Sequence, residues 1–274
     1  MLIALVADSH LSPRAPEFVE NWHGAARAVA EAEVDLTIHL GDITLDGQRW
    51  PDELSFAARC IAGWPSPMRC IPGNHDLGTG SGEAPFERAL WQRYRELFGP
   101  DRWIIAADPW HLIGINAQLL GTGSVEEQEQ WQWLEDHAVQ PGCRRVALFL
   151  HRPLVPPDAT EAARSGRYVP AAARERLLTG PLRHALQLVV SGHTHQFLDR
   201  VDDGRRHVWM PSTAFVLPDD LQARVGEKIV GFGLIRLDGP VAHFDLRRPD
   251  GIARHDISRL PVRLVFEKPP VSLA

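Results

Sequence analysis

The sequence predicts a mixed α/β domain: two packed sheets with helices on their outer faces. Three observations carry this. Short apolar runs alternate with amphipathic stretches up to about His195. Beyond His195 the pattern turns mostly to strands. The 274 residues are 44% apolar and 23% charged, with no repeat, low-complexity block or long polar linker. That balance fits one domain with a sizeable core and excludes disorder, collagen and coiled coil as the whole answer.

Leu2 to Ala7 is a continuous apolar run, as in a strand buried on both faces. Phe18, Trp22, Ala25 and Val29 recur at helical spacing between Glu17 and Glu33. Leu36 to Leu40 reads as a second strand, Pro51 to Ile61 as a helix and Met68 to Ile71 as a short third strand. Phe86, Leu90, Tyr94 and Leu97 mark an amphipathic helix from Phe86 to Phe98, and Trp110 to Asn116 a strand. Ser124 and Glu127 form a capping box that opens a helix carrying Val125, Trp131 and Leu134. Arg145 to Leu150 and Leu186 to Val190 are apolar strands, followed by Phe197–Val201, His207–Met210, Ile229–Leu237 and Val241–Leu246. Pro261, Pro269 and Pro270 predict an extended surface tail from about residue 250 of a single domain spanning 1–274.

The formal charge of −6 lacks the basic footprint of a general nucleic-acid binder. Cys60, Cys70 and Cys143 are odd in number and form no Cys-x-x-Cys pair, against a disulfide scaffold or a thiolate zinc site. The first residues carry no basic region and only seven apolar residues before Asp8, too short for a signal peptide. No stretch approaches the ~18 apolar residues of a membrane span. The expectation is a cytoplasmic protein without membrane association.

The chemistry sits where strands end. The first strand runs into Asp8-Ser9-His10, the second into Gly41-Asp42, and the third into Gly73-Asn74-His75-Asp76. Two later strands deliver His151 and Gly192-His193-Thr194-His195. The C-terminal edge of an open α/β sheet is where ligands bind. Any one Asp or His beside a turn reads as a cap or turn residue. Five strand ends that agree do not. Imidazole with carboxylate and amide oxygen suits Zn, Mn or Fe, not Ca or a soft thiolate site. Asp8, Asp42 and Asn74 with His10, His151, His193 and His195 make seven donors. That is too many for one tetrahedral ion and right for two ions sharing a carboxylate, a recurring solution for phosphoryl transfer.

With these residues in order, the chain resembles the calcineurin-like metallophosphoesterases. Their motif series Asp-x-His, Gly-Asp, Gly-Asn-His-Asp/Glu, His and Gly-His-x-His is complete between Leu2 and His195. The stretch from Ser124 to Leu134 also looks like this family. Pro211-Ser212-Thr213 followed by Gly231-Phe232 is similar to the branch containing bacterial class III cyclic-nucleotide phosphodiesterases, whereas 214–228 offers no motif. The resemblance implies a four-layer αββα sandwich, two mixed sheets flanked by helices. It implies two divalent or mixed-valence transition-metal ions (Mn, Fe or Zn). Asp8, His10 and His195 would bind the first, Asn74, His151 and His193 the second, and Asp42 would bridge. His75 would stand by the substrate as proton donor to the leaving oxygen, and Asp76 would hold its ring. Gly41, Gly73 and Gly192 would permit the turns that aim the ligands inward.

The expected function is a dinuclear phosphodiesterase for a small nucleotide, cyclic ones included, working by attack of a metal-bridging hydroxide. Its alternatives are a phosphomonoesterase or glycerophosphodiester-type enzyme, and a non-catalytic scaffold on the same fold. The expected partner is a small phosphoester, and a homodimer is possible. His39 reads as a satisfied core histidine. Arg152 could contact phosphate or form a structural ion pair. Asn116 and Gln118 read as turn-capping residues that could line the pocket. Arg14, Arg164 and Arg167 read as solvated charges. Trp131 and Trp133, two apart, cannot share a helix face, which leaves one for an interface.

Overall fold

The computed structural model describes residues 1–78, 86–137, 145–162 and 166–262. Its strands are β1 (Leu2–Val6), β2 (Leu36–His39), β3 (Met68–Cys70), β4 (Trp103–Ala107), β5 (Trp110–Gly114), β6 (Arg145–Phe149) and β7 (Leu186–Ser191). They continue with β8 (Leu198–Asp202), β9 (Arg205–Trp209), β10 (Phe215–Val216), β11 (Phe232–Asp238), β12 (Val241–Arg247) and β13 (His255–Asp256). The helices are α1 (Pro16–Glu31), α2 (Asp52–Ala62), α3 (Asn74–Leu77), α4 (Arg88–Phe98), α5 (Val125–His137), α6 (Ala159–Ala162) and α7 (Ala171–Thr179). No helix among the described residues is long and apolar enough to cross a membrane.

One sheet has the order β12-β11-β1-β2-β3, the other β4-β5-β6-β7-β9-β8. Both are mixed: β1, β2 and β3 are parallel, as are β5, β6, β7 and β9, with antiparallel strands at the flanks. Side chains alternate across each strand, so each sheet has two faces to bury. Ile3, Leu5, Ile38, Ile235, Leu112, Phe149, Val190 and Met210 share the core between the sheets. Ala4, Val6, Phe232 and Leu234 face the other way, onto Trp22 and Val29 of α1, Leu54 of α2 and Tyr94 of α4. Val146, Leu148 and Val189 back onto Trp131 and Leu134 of α5 and Leu177 of α7. The layers are therefore helix, sheet, sheet, helix, the architecture the sequence implied.

Besides the short elements α3, α6 and β10, four details differ from the sequence reading. β4 has no counterpart among the strands the sequence predicts. It is a flank strand pairing only with β5, and its half-buried Trp-Ile-Ile-Ala-Ala run shows no alternation. α7 buries only Ala173 and Leu177, too few for a periodic signal. The capping box forms by half: Ser124 Oγ accepts from Glu127 N at 3.1 Å. The Glu127 carboxylate turns instead to the amides of Gly121 and Gly123, both at 2.7 Å. The segment after residue 250 keeps most of its residues at least partly exposed but is anchored as far as residue 262. β13 pairs in parallel with β10, and Ile257 is fully buried beside Phe18 and Phe215. Residues 263–274 lie outside the described residues.

Candidate metal centre

Parallel strands deliver their C-terminal ends to one edge. Here the edges of the two sheets meet. The Asp8 carboxylate, after β1, accepts from His193 N, after β7, at 3.0 Å on each oxygen. His151, after β6, donates from Nδ1 to the Leu40 carbonyl at the end of β2, at 2.8 Å. Gly192 N donates to the His151 carbonyl at 3.0 Å.

Two groups of donors result. Asp8, His10, Asp42 and His195 offer ligand atoms that all lie within 4.8 Å of one another, as do Asp42, His151 and His193. Asp42 belongs to both. Asn74 adds an oxygen to the second group: its Oδ1 lies 3.1 Å from His151 Nε2. Ring nitrogens face each other at 3.1 Å in both groups, His10 Nε2 with His195 Nε2 and His151 Nε2 with His193 Nδ1. Converging lone pairs in a buried place are costly unless a proton or a cation lies between them. The donor set therefore fits two cations, with His and carboxylate ligands suited to Zn, Mn or Fe.

The backbone bends to achieve this. Asp8, His10, Asp42, His193 and His195 all adopt left-handed conformations, with φ between 46° and 70°. Asp and His are among the side chains that tolerate this region best, but each such residue still costs about 1–3 kcal/mol and persists where its surroundings over-determine it. Of the three flanking glycines only Gly41 needs the same region, at φ 94°. Gly73 is there for room: a Cβ on it would sit 2.1 Å from Asp42 Oδ1.

The electrostatics divide the ligands. Burial lowers the affinity of His10 and His193 for a proton, as does the charge of neighbouring rings, so both hold their lone pairs available. Burial also opposes charge on His151, but the Asp42 carboxylate and its hydrogen bond outweigh it and raise His151 to about 9. Burial likewise opposes charge on Asp42, yet His151 and the nearby rings hold it well below the usual carboxylate range. Both shifts favour a proton on the His151–Asp42 pair while no cation is bound. A cation bound there would compete with that proton for the His151 nitrogen.

His75 stands beside this centre. Its ring lies edge-on to that of His10, with centroids 4.9 Å apart, and its Nδ1 donates to the Leu45 carbonyl at 2.6 Å. Asp76 does not hold this ring, contrary to what the resemblance implies. The Asp76 carboxylate accepts from the amides of Ile43, Thr44 and Gly73 and from the Thr44 hydroxyl, at 2.8–3.2 Å. Those bonds close the first turn of α3 and bind it to the loop after β2. Asp76 thus fixes the backbone under His75, and Leu45 holds the ring. Burial beside Asp42 raises Asp76 to about 6.

Sequence reasoning missed the supports that act through backbone atoms. Ser212 Oγ donates to the Asp8 carbonyl and accepts from the amides of Ala214 and Phe215. The Phe215 carbonyl then accepts from His195 Nδ1 at 3.3 Å, while its ring packs on His10 and His195. Asn21, buried in α1, donates to the carbonyls of Thr213, Ala214 and Ala253 and accepts from Ala253 N. The signals available were the polar Asn21 on the apolar face of α1 and the Pro-Ser-Thr run.

His39 is a core histidine: it is fully buried, contacts Ser9 Oγ at 2.8 Å and accepts from Gly41 N, and burial takes it down to about 3. Arg14 pairs with Asp52 and buried Glu53, and Arg167 with Glu161, so neither is simply solvated. Arg164 lies outside the described residues. Arg152 is 5% exposed, next to His151, and burial lowers it to about 10. Asn116 accepts from Gln118 N and donates to Asp101, capping the turn as read, but the buried Gln118 carboxamide has no protein partner among the described residues. Trp131 is buried, and Trp133 packs on the same cluster with Arg102 over its ring, so both are accounted for within the chain.

Comparison with known proteins agrees with this arrangement. The family model for calcineurin-like phosphoesterase matches residues 1–197. The 3′,5′-cyclic adenosine monophosphate phosphodiesterase CpdA of Escherichia coli is 26% identical over 222 residues, covering 77% of this chain and 75% of its own. A dimetal phosphatase from Danio rerio superposes with a TM-score of 0.62 at 16% identity, covering 90% of this chain and 96% of its own. GAP50, described as the anchor in the inner membrane complex of Plasmodium, superposes at 0.56 with 11% identity, covering 98% and 95%.

Proposed function

The chain belongs to the calcineurin-like phosphoesterase family, hydrolases of phosphoesters, and we propose that it is a phosphodiesterase acting on a small nucleotide, cyclic nucleotides included. The observation that supports this is the pair of donor groups sharing Asp42, with the His75 ring against one of their ligands. The relative named as a cyclic AMP phosphodiesterase points the same way.

Asp8, His10, His195 and Asp42 would hold one cation, and Asn74, His151, His193 and Asp42 the other. Bound there, the two cations would supply Lewis-acid charge at the phosphoryl oxygens and a water of lowered pKa. The rest falls to the protein. The Leu45 carbonyl can only accept, so His75 Nδ1 carries a proton in either charge state of the ring. Nε2 is then the nitrogen that gives a proton to the leaving oxygen, and the ring must be doubly protonated when it does so. Asp76 keeps the backbone of His75 still during this transfer. The left-handed Asp8, His10 and Asp42 hold their donors in place before substrate arrives, so little reorganisation is left for the reaction.

A phosphomonoesterase is the second reading. Arg152 favours it: a buried guanidinium one residue from His151 adds positive charge that a dianion would use and a monoanion would not need. One panel decides between them. At defined Mn, Fe and Zn loading, cyclic nucleotides, bis-p-nitrophenyl phosphate, p-nitrophenyl phosphate and glycerophosphodiesters are compared by kcat/KM. The diester reading requires higher values on the diesters. A reversal moves the assignment to monoesters, and no turnover on any of them supports a scaffold.

A further inference from the structure

Glu53 opens α2 and is fully buried although it is a carboxylate. Oε1 accepts from the Ser12 hydroxyl and from Arg14 Nη1, and Oε2 accepts from Asp46 N at 2.8 Å. Ser12 lies two residues past His10, in the loop after β1. Asp46 lies in the loop after β2. One side chain thus clamps together two loops of the candidate centre, from behind.

The second of these loops grips His75 at three points. Its Leu45 carbonyl accepts from His75 Nδ1, and Thr44 Oγ1 and Gly47 N both donate to the His75 carbonyl, at 3.1 and 2.7 Å. Leu45 sits directly before the residue whose amide Glu53 holds. The carbonyl that orients the ring and the amide that Glu53 binds therefore belong to adjacent residues. A shift of the Asp46 amide moves the Leu45 carbonyl with it, and a misplacement of about 1 Å at a reacting group can cost on the order of 100-fold in rate.

We propose that Glu53 is a positioning residue for His75, acting through the Asp46 amide and the Leu45 carbonyl. This rests on the reading of His75 as proton donor to the leaving oxygen. The role is geometric, and so it does not need the charge. A glutamine at 53 can accept from Asp46 N through its oxygen and donate to Ser12 Oγ through its nitrogen, since a hydroxyl works both ways, while the Arg14 guanidinium gives up its contact with position 53 and keeps those with Asp52. A leucine can do neither.

The test compares Glu53→Leu and Glu53→Gln on two esters with both metals loaded. On cyclic AMP, whose leaving group is an alkoxide, Glu53→Leu loses about 10–100-fold in kcat, a part of the ~10²–10⁴-fold that proton transfer contributes. On bis-p-nitrophenyl phosphate, whose leaving group needs no proton, it loses less than about threefold. Metal content stays at the wild-type value, and Glu53→Gln restores the wild-type ratio between the esters. Ser12→Ala, which removes one arm of the clamp, gives a smaller split and serves if the leucine variant does not fold. A readout independent of turnover is the ¹⁵N spectrum of histidine-labelled protein, with His75 assigned by difference against His75→Ala. The Nδ1–H signature of His75 is present in wild type and Glu53→Gln and weakened in Glu53→Leu. Equal losses on the two esters, or an unchanged His75 signature in Glu53→Leu, overturns the proposal. If the wild type cleaves neither ester, the phosphodiesterase reading fails, and the spectrum still decides whether Glu53 orients the ring.

Discussion

The two halves of the candidate centre are built to different standards. Asp8, His10 and His195 are buried, and a second layer encloses them: the Ser212 hydroxyl holds the Asp8 carbonyl, and the Phe215 carbonyl and ring hold His195 and His10. Asn74 and His193 in the other half are partly exposed, and only His151 is fully buried there. One half is held from behind by segments remote in sequence, and the other opens towards solvent. The contrast teaches that ligand identity alone does not make the two positions equivalent. The enclosed half would hold a cation more firmly, and the open half would exchange one more readily.

The harshest way to break this comparison is to remove what the halves share. Asp42→Ala takes a donor from both groups and leaves His151 without the carboxylate that pairs with it. Both cations should be weakened, and activity should fall by more than about 10³-fold, as for loss of a whole catalytic unit. Elemental analysis checks this: wild type should carry two ions per chain, and one ion in fully loaded wild type would end the dinuclear reading. By contrast, His195→Ala should mainly cost one ion.

His75→Ala comes next in size. It should keep both ions and lose about 10²–10⁴-fold on an alkyl ester, far more than on a nitrophenyl ester. Loss of an ion would place His75 among the ligands. Asp76→Asn keeps the acceptor oxygen but puts an amide donor against backbone N–H groups, so it should lower stability as well as activity. A loss in kcat with an unchanged melting temperature would contradict the backbone role.

Chelation sharpens the contrast itself. Under a limiting chelator the first ion to leave should come from the open half, with a smaller drop in melting temperature than the second, because stabilisation grows with the affinity of what is bound. Stepwise loss in the Asn21→Ala variant should converge towards a single step. Asn21 ties the segment that carries Phe215, and releasing it loosens the enclosed half. Unchanged two-step loss in that variant would mean that the remote segments do not enclose the first half.

What could be read in the sequence follows the same division. Every candidate ligand lies within four residues of a strand's C-terminal end, so a local pattern placed Asp8, His10, Asp42, Asn74, His151, His193 and His195 on one edge. The enclosing layer is non-local and works through backbone groups. Asn21 meets Ala253 across 232 positions, and nothing in either neighbourhood marks the pairing. Asp76 shows the limit at close range. Adjacent to His75, it reads as the orienter of that ring, but a carboxylate at the third position of a short helix finds backbone amides nearer than its neighbour's side chain. The anchoring of the 250–262 segment is not legible in the sequence because its pairing partner, the two-residue β10, is too short to announce itself.

The smallest effect separates the cation-free protein from the loaded one by pH. In the cation-free protein His10, His39, His193 and His207 are held below the ordinary histidine value of about 6.5, and His151 is raised to about 9. For the depressed rings, the unfolded chain binds more protons just below pH 6.5, so stability is lost as pH falls from there. For His151 the folded chain binds the extra proton. Its contribution is complete below pH 6.5 and is lost as pH rises through about 9. Stability of the cation-free protein should therefore peak near pH 6.5, with a steeper acid limb, since four rings act there, opposed by Asp76, which takes up its proton below about 6, and one acts on the alkaline side. Cations compete for the same lone pairs and displace the His151 proton. The loaded protein should lose the alkaline limb and keep or gain stability between pH 6.5 and 9. Melting temperatures of both forms across pH 5–9.5 check this. If both decline in parallel above pH 6.5, the proton on His151 is not the one that a cation replaces, and His151 is not a ligand of the open half.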